Sequence, residues 1–156
     1  MGEILEPARA RCDEPPPSEL VRAIDEFNRG EYFEQHETLE TLWRATRAPV
    51  RDLYHGILQI GVGFHHLRRG NHHGARVLME EGLERLRPFA PSCQSVDVER
   101  LVSDATRALY RVVALGPGRI REFEWSLAPK VWLDGLGAET EPHAKPHDER
   151  DAHDPR

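Results

Sequence analysis

The chain has 156 residues, a formal charge of −6 and 38% apolar residues, the profile of one globular domain of ordinary size. Without a basic stripe it offers no electrostatic footprint for nucleic acid. No apolar run reaches the ~18–20 residues that span a bilayer and no signal peptide is evident, so neither a membrane partner nor export is expected.

The acids concentrate at the ends. Residues 1–17 hold Glu3, Glu6, Asp13 and Glu14 against Arg9 and Arg11, with Pro15-Pro16-Pro17 and few large apolar side chains. Residues 135–156 are built from Gly, Pro, His, Asp and Glu without periodicity. Neither stretch has the apolar surface to offset the entropy of ordering, so both are expected to be disordered tails around a single helical domain at 18–134. Cys12 falls in the first tail and Cys93 between two helices. So placed they read as no disulfide framework and fit a reducing, cytoplasmic setting.

Within the domain, Ser18 is a natural cap for a first helix carrying Leu20, Ile24 and Phe27, and Gly30 ends it. A second helix is expected from about Glu31 to Arg47, halted ahead of Pro49. Pro49 then opens a third, from about Val50 to Arg69, that stops at Gly70. Asn71 caps a fourth, which places Ala75, Leu78, Met79, Gly82, Leu83 and Leu86 on one face before Pro88. A fifth starts near Ser95 or Asp97 and buries Val98, Leu101, Val102, Ala105 and Leu109. Short connections favour antiparallel neighbours, and the fold class expected is an all-α compact bundle of about five helices. After Gly116-Pro117-Gly118, the alternation of Phe123, Trp125 and Leu127 suggests an extended arm over 119–133, with a short terminal helix as the alternative. Gly30–Gln35 and Gly70–Ala75 form a faint repeat, each joining two helices at a glycine. They resemble tetratricopeptide hairpins only loosely, because the period differs.

Two stripes could carry chemistry. On a wheel, Tyr32, Leu39 and Trp43 centre the apolar arc of the second helix, His36 and Glu40 stack at its margin, and Glu34, Thr38 and Thr41 face water. The third helix is apolar nearly all round, which marks it as central. Its polar stripe is Arg51, His55, Gln59, His66 and Arg69, while Gly56, Gly61 and Gly63 invite close approach by another helix. If the stripes face each other, His36, Glu40 and His66 suit a divalent first-row metal ion such as Zn²⁺, Fe²⁺ or Mn²⁺. Glu37 would then be the general base to a metal-bound water, a catalytic assignment that makes metal-assisted hydrolysis the first guess. A ligand site without metal would use His36, Glu40, Trp43, Gln59, His66 and Arg69. The grammar restrains the metal reading: position 40 is Glu where a zinc-protease helix has its second His, and no E-x-x-H pairing is present. A buried hydrogen-bonded cluster that fixes helix register is the competing explanation. His65, His66, His72 and His73 crowd around the same turn and invite a metal reading, but Gly70 and Asn71 there are a helix stop and a cap, and His72 and His73 belong to the exposed first turn of the next helix.

Phe27-Asn28-Arg29-Gly30-Glu31-Tyr32-Phe33-Glu34-Gln35-His36-Glu37, with Glu40 and Trp43, resembles a family classed as domain of unknown function 309. So do Gly56-Ile57-Leu58-Gln59-Ile60 and His66-Leu67-Arg68-Arg69-Gly70-Asn71 with Gly74-Ala75. The resemblance covers about residues 18–110 and implies a small, soluble, all-helical domain. It brings no activity with it; it carries over the motif itself, onto His36, Glu37, Glu40, Trp43, Gln59, His66, Arg69 and Asn71.

Two functional expectations follow. One is a metal- or small-ligand-binding protein that uses the His/Glu/Gln cluster. The other is a non-enzymatic helical-hairpin module that binds a protein or forms a homodimer, with Phe123, Trp125 and Trp132 in the arm and a purely structural cluster.

Overall fold

The computed structural model describes residues 7–134. Five α-helices carry the fold: α1 (Ser18–Asn28), α2 (Tyr32–Ala45), α3 (Arg51–Arg68), α4 (His72–Leu86) and α5 (Val98–Leu115). Each helix packs on its chain neighbour among α1–α4, and α5 closes against α4, so α3 sits between α2 and α4. The all-α bundle expected from the sequence is what forms. Among the described residues no helix is long and apolar enough to cross a membrane.

Glycines let α3 lie close to its neighbours. A Cβ at Gly56 would fall 2.8 Å from Leu86 Cδ2, one at Gly63 2.9 Å from Met79 Cγ, and one at Gly82 2.9 Å from the Gly56 carbonyl oxygen. These contacts offset the ~1 kcal/mol that each glycine costs a helix relative to alanine. Tyr54, Ile57, Ile60 and Phe64 of α3 are buried against Phe27, Leu39, Met79 and Leu101 in one core.

The faint repeat is a repeated helix stop. The Gly30 N–H donates to Phe27 O and the Glu31 N–H to Glu26 O. Gly70 and Asn71 bond Leu67 O and His66 O in the same pattern, a Schellman turn in each case. Both glycines have φ +79, a left-handed value that glycine adopts without a Cβ penalty. Asn71 also caps α4 through Gly74 N, and Asp97 caps α5 through Arg100 N. Ser18 is instead the first residue of its helix, behind Pro17 at the cap position.

The arm combines both alternatives. Short 3₁₀ turns at Pro117–Glu122 and Trp125–Leu127 precede an extended stretch in which Leu133 bridges Val96. Phe123 and Trp125 pack on Phe64, so aromatics expected as an interaction surface are largely spent on the bundle. Arg68 spans the junction. Its guanidinium lies 4.9 Å from the Tyr32 ring centre and 5.7 Å from that of Trp125, and it donates to Gly30 O at 2.8 Å.

The amino-terminal expectation needs correction. Residues 1–6 and 135–156 lie outside the described residues, but 7–17 run along the domain rather than away from it. Cys12 and Cys93 form a disulfide across 81 positions. Arg9 donates to Ala90 O and Ser92 O, both at 3.0 Å. Cys93 belongs to a hairpin of β1 (Ser92–Cys93) and β2 (Val96–Asp97), whose turn residues Gln94 and Ser95 both have positive φ, as a two-residue hairpin turn requires. Gln94 is buried, accepts from Tyr54 Oη at 2.7 Å and donates to Arg11 O. Covalent and polar fastening thus replaces the apolar burial that the segment lacks. With the disulfide present, the cysteines no longer argue for a reducing compartment.

Candidate functional site

The buried face of α2 is Tyr32, Gln35, Thr38, Leu39 and Leu42. The helix is therefore turned relative to the wheel: Thr38 is buried, not wet, and Trp43 is only half-buried. The cause is Gln35. Its Nε2 donates to Leu58 O at 3.2 Å, and its amide fills the space over Gly61 on α3. A polar residue enters the seam because a missing side chain opposite makes room for it.

His36 and Glu40 do stack as neighbours, with Nε2 3.3 Å from Oε1, but their side chains are 35% and 33% exposed. Glu40 also receives Arg44 Nη2 at 2.8 Å, so this carboxylate is the middle of a solvated three-residue ladder. Glu37 is exposed.

The polar stripe of α3 divides between two neighbours. Toward α2, Arg51 lies 4.3 Å from the centre of the Trp43 ring, and His55 stands beside the same ring with centroids 4.8 Å apart. Toward α4, Gln59 donates from Nε2 to Glu81 Oε1 and accepts at Oε1 from Arg85 Nε, both at 2.9 Å. Arg85 also sits 3.6 Å from Asp52. His66 turns to the α3–α4 junction, where Asn71 Nδ2 donates to its Nδ1 at 3.2 Å, while Asn71 Oδ1 caps Gly74. That pairing requires an unprotonated Nδ1 and places the ring proton on Nε2. Arg69 is exposed.

The expected convergence of His36, Glu40 and His66 is thus corrected. Gln59 and His66 face α4 and its cap, so the two stripes do not close on a common point. It is His65, one position earlier, that meets α2, through Phe33 with centroids 6.0 Å apart. Phe33 also touches the His36 ring. Among the described residues no three His, Cys, Asp or Glu side chains are grouped to hold a metal ion. A helix wheel cannot see this, because two residues 100° apart on a central helix serve different partners.

Electrostatics differs along the stripe. Burial pushes the pKa of His55 down, and the Arg85 charge adds to this against the opposing pull of Asp52. Burial likewise lowers that of His65, helped by Arg69 and His66. The Trp43 indole Nε1–H is buried without an acceptor. His72, read from the sequence as an exposed first-turn residue, is half-buried and donates from Nε2 to Val112 O on α5 at 3.1 Å.

The residues that the sequence left out are Gln35, Glu81 and Arg85. The i, i+4 spacing of Glu81 and Arg85 on α4 was the available signal, but nothing in it points to Gln59. Residues 20–78 match the model of a family described as domain of unknown function (DUF309). That span holds every motif residue from His36 to Asn71, so the resemblance is borne out over α1, α2, α3 and the first half of α4. No curated protein and no solved structure matches the chain.

Proposed function

We propose that this chain is a non-catalytic helical binding module, and that Gln59 and His66 of the motif are the device that sets the packing of α3 on α4. One observation carries the reading: Gln59, buried on the central helix, has its donor and its acceptor both committed to α4, through Glu81 and Arg85. His66 is committed as well, to the Asn71 side chain that caps α4, while Glu40 is held between His36 and Arg44 within α2. Glu37, the base of a hydrolytic reading, stands exposed.

Thermal and urea unfolding of Gln59→Leu and His66→Ala test this reading. Loss of a partner in a buried network costs about 1–3 kcal/mol, and a loss of that size in Gln59→Leu is the expected result. Unchanged or raised stability in both variants would mean that the residues are held at a cost for function, and the packing role would fall.

A further inference from the structure

Among the described residues three large apolar side chains stand exposed: Phe33 at the start of α2, with 51% of its surface free, and the pair Tyr110 and Val113 on α5. Their surroundings differ. The charges next to the α5 pair are already matched, Arg107 with Asp104 and Arg111 with Glu124. Those around Phe33 are not.

Phe33 divides a basic side from an acidic one. Each residue of a helix turns by about 100°, so His36 lies roughly 60° from Phe33 in one direction, and Glu37 and Glu34 lie roughly 40° and 100° from it in the other. The first direction is that of α3, where the Phe33 ring meets His36 and His65 with centroids 6.1 and 6.0 Å apart. One turn beyond His65 on the same face of α3 stands Arg69, exposed. Burial apart, the groups that act most on His65 are Arg69, His66, Arg68 and His36, and all of them hold its pKa down. This side is basic. The second direction leads away from α3 to Glu34 and Glu37, both exposed. Neither carboxylate, nor Arg69, makes an ion pair among the described residues.

A surface with an apolar centre, a basic side and an acidic side is complementary to itself after a half-turn. A twofold axis through Phe33 sets ring against ring and brings Arg69 of each copy to Glu34 and Glu37 of the other, so every unpaired charge finds its opposite at once. An acidic ligand would match the basic side alone and leave the carboxylates facing it, and a basic ligand would do the reverse. We infer that the Phe33 face is a homodimer interface, with Phe33 at its centre and Arg69 paired across it with Glu34 and Glu37. The inference rests on the reading of the chain as a binding module, to which it assigns a second copy as partner, and it makes no use of Gln59 or His66. One half-exposed ring per copy with ion pairs at a wet rim gives a weak dimer, with a Kd expected at roughly 10–100 µM.

Sedimentation of the full chain over a concentration series tests this, with unfolding curves to confirm that each variant is folded. The native chain is expected to dimerise, and Phe33→Ala should weaken association at least about tenfold, as loss of a central aromatic anchor does. Glu37→Arg and Arg69→Glu place like charges across the interface and should each weaken it by about tenfold or more. An equimolar mixture of those two chains restores opposite charges at both contacts and should associate more tightly than either chain alone. Tyr110→Ala should dimerise like the native chain. So should Gln59→Leu under conditions where it is folded, whatever its stability, which separates failure of the packing role from failure of the dimer. A native chain that stays monomeric to ~1 mM, association indifferent to Phe33→Ala, loss of the dimer in Tyr110→Ala, or a mixture no tighter than its components overturns the assignment.

Discussion

The side-chain amide of Gln35 on α2 occupies the space that a Cβ on Gly61 of α3 would need. The pair is a lock between two helices: the missing side chain admits the amide, and the amide reaches Leu58 O at 3.2 Å. Gly61→Ala should therefore destabilise the protein by about 1–3 kcal/mol, as overpacking does in a filled core, although alanine gains ~1 kcal/mol of helix propensity. Urea unfolding measures the sum. Gln35→Ala in the same chain should recover part of the loss, since the two changes share one space and cannot be additive. A stabilised Gly61→Ala would show that the slot is not tight.

This lock also marks the limit of what the sequence reveals. Helix number, the stops at Gly30 and Gly70, the caps at Asn71 and Asp97 and the close approach at Gly56 and Gly63 are local chemistry, legible from spacing and residue type. The side on which each polar residue finds its partner is not local. Gln35 ranks as polar on any wheel, and only the absence of a Cβ at position 61, 26 residues away, turns it inward. His65 and His66 are adjacent in sequence, yet one meets α2 and the other pairs with Asn71, the residue that caps α4. The Cys12–Cys93 pairing was hidden for a similar reason: it depends on a hairpin whose Gln94-Ser95 turn lacks the usual Asn or Gly signal.

That disulfide closes a loop of most of the domain, so breaking it frees a large denatured ensemble. Cys93→Ala, or the native chain in reductant, should lose about 2–4 kcal/mol of unfolding free energy. Matched denaturation curves with and without dithiothreitol measure this, with thiol counting to confirm the redox state. Equal midpoints would show that residues 7–17 contribute little to global stability. Hydrogen exchange of the Gln94 amide, which is bonded to Cys12 O, should accelerate first.

Stability should fall on the acid side of neutrality because of His55 and His65. Both have folded-state pKa values below the ordinary histidine value, chiefly through burial. A histidine with a depressed folded pKa takes up its proton more readily in the unfolded chain. Its neutral form is thus matched in both states above pH ~6.5, and unfolding is favoured increasingly as pH falls from there through the folded pKa. Asp52 opposes the shift at His55, so His55→Gln should flatten this limb only in part, and His55→Gln with His65→Gln should flatten it further. Unfolding midpoints between pH 5 and 8 provide the comparison. A double variant with an unchanged slope would assign the acid limb to carboxylates instead.

Asn28 fastens the arm to the bundle through two bonds to one residue, its Nδ2 donating to Val131 O at 2.9 Å and its Oδ1 accepting from Val131 N at 2.7 Å. The side chain stands in for a neighbouring strand where no strand is present. Asn28→Ala removes both bonds and leaves the Val131 N–H to water, while the Lys130 bond to the Asn28 backbone carbonyl survives. The arm should loosen locally without unfolding of the helices, because Phe123 and Trp125 keep their packing on Phe64. Amide exchange at Val131 is expected to accelerate by about tenfold or more, the equivalent of the ~1–1.5 kcal/mol carried by a hydrogen bond, while core amides of α3 stay protected. Asn28→Asp separates the two bonds, since a carboxylate still accepts from Val131 N but cannot donate to Val131 O. Its exchange rate should fall between those of the native chain and Asn28→Ala. If all three chains exchange alike at Val131, the packing of Val131 and Leu133, not the amide pair, holds the arm.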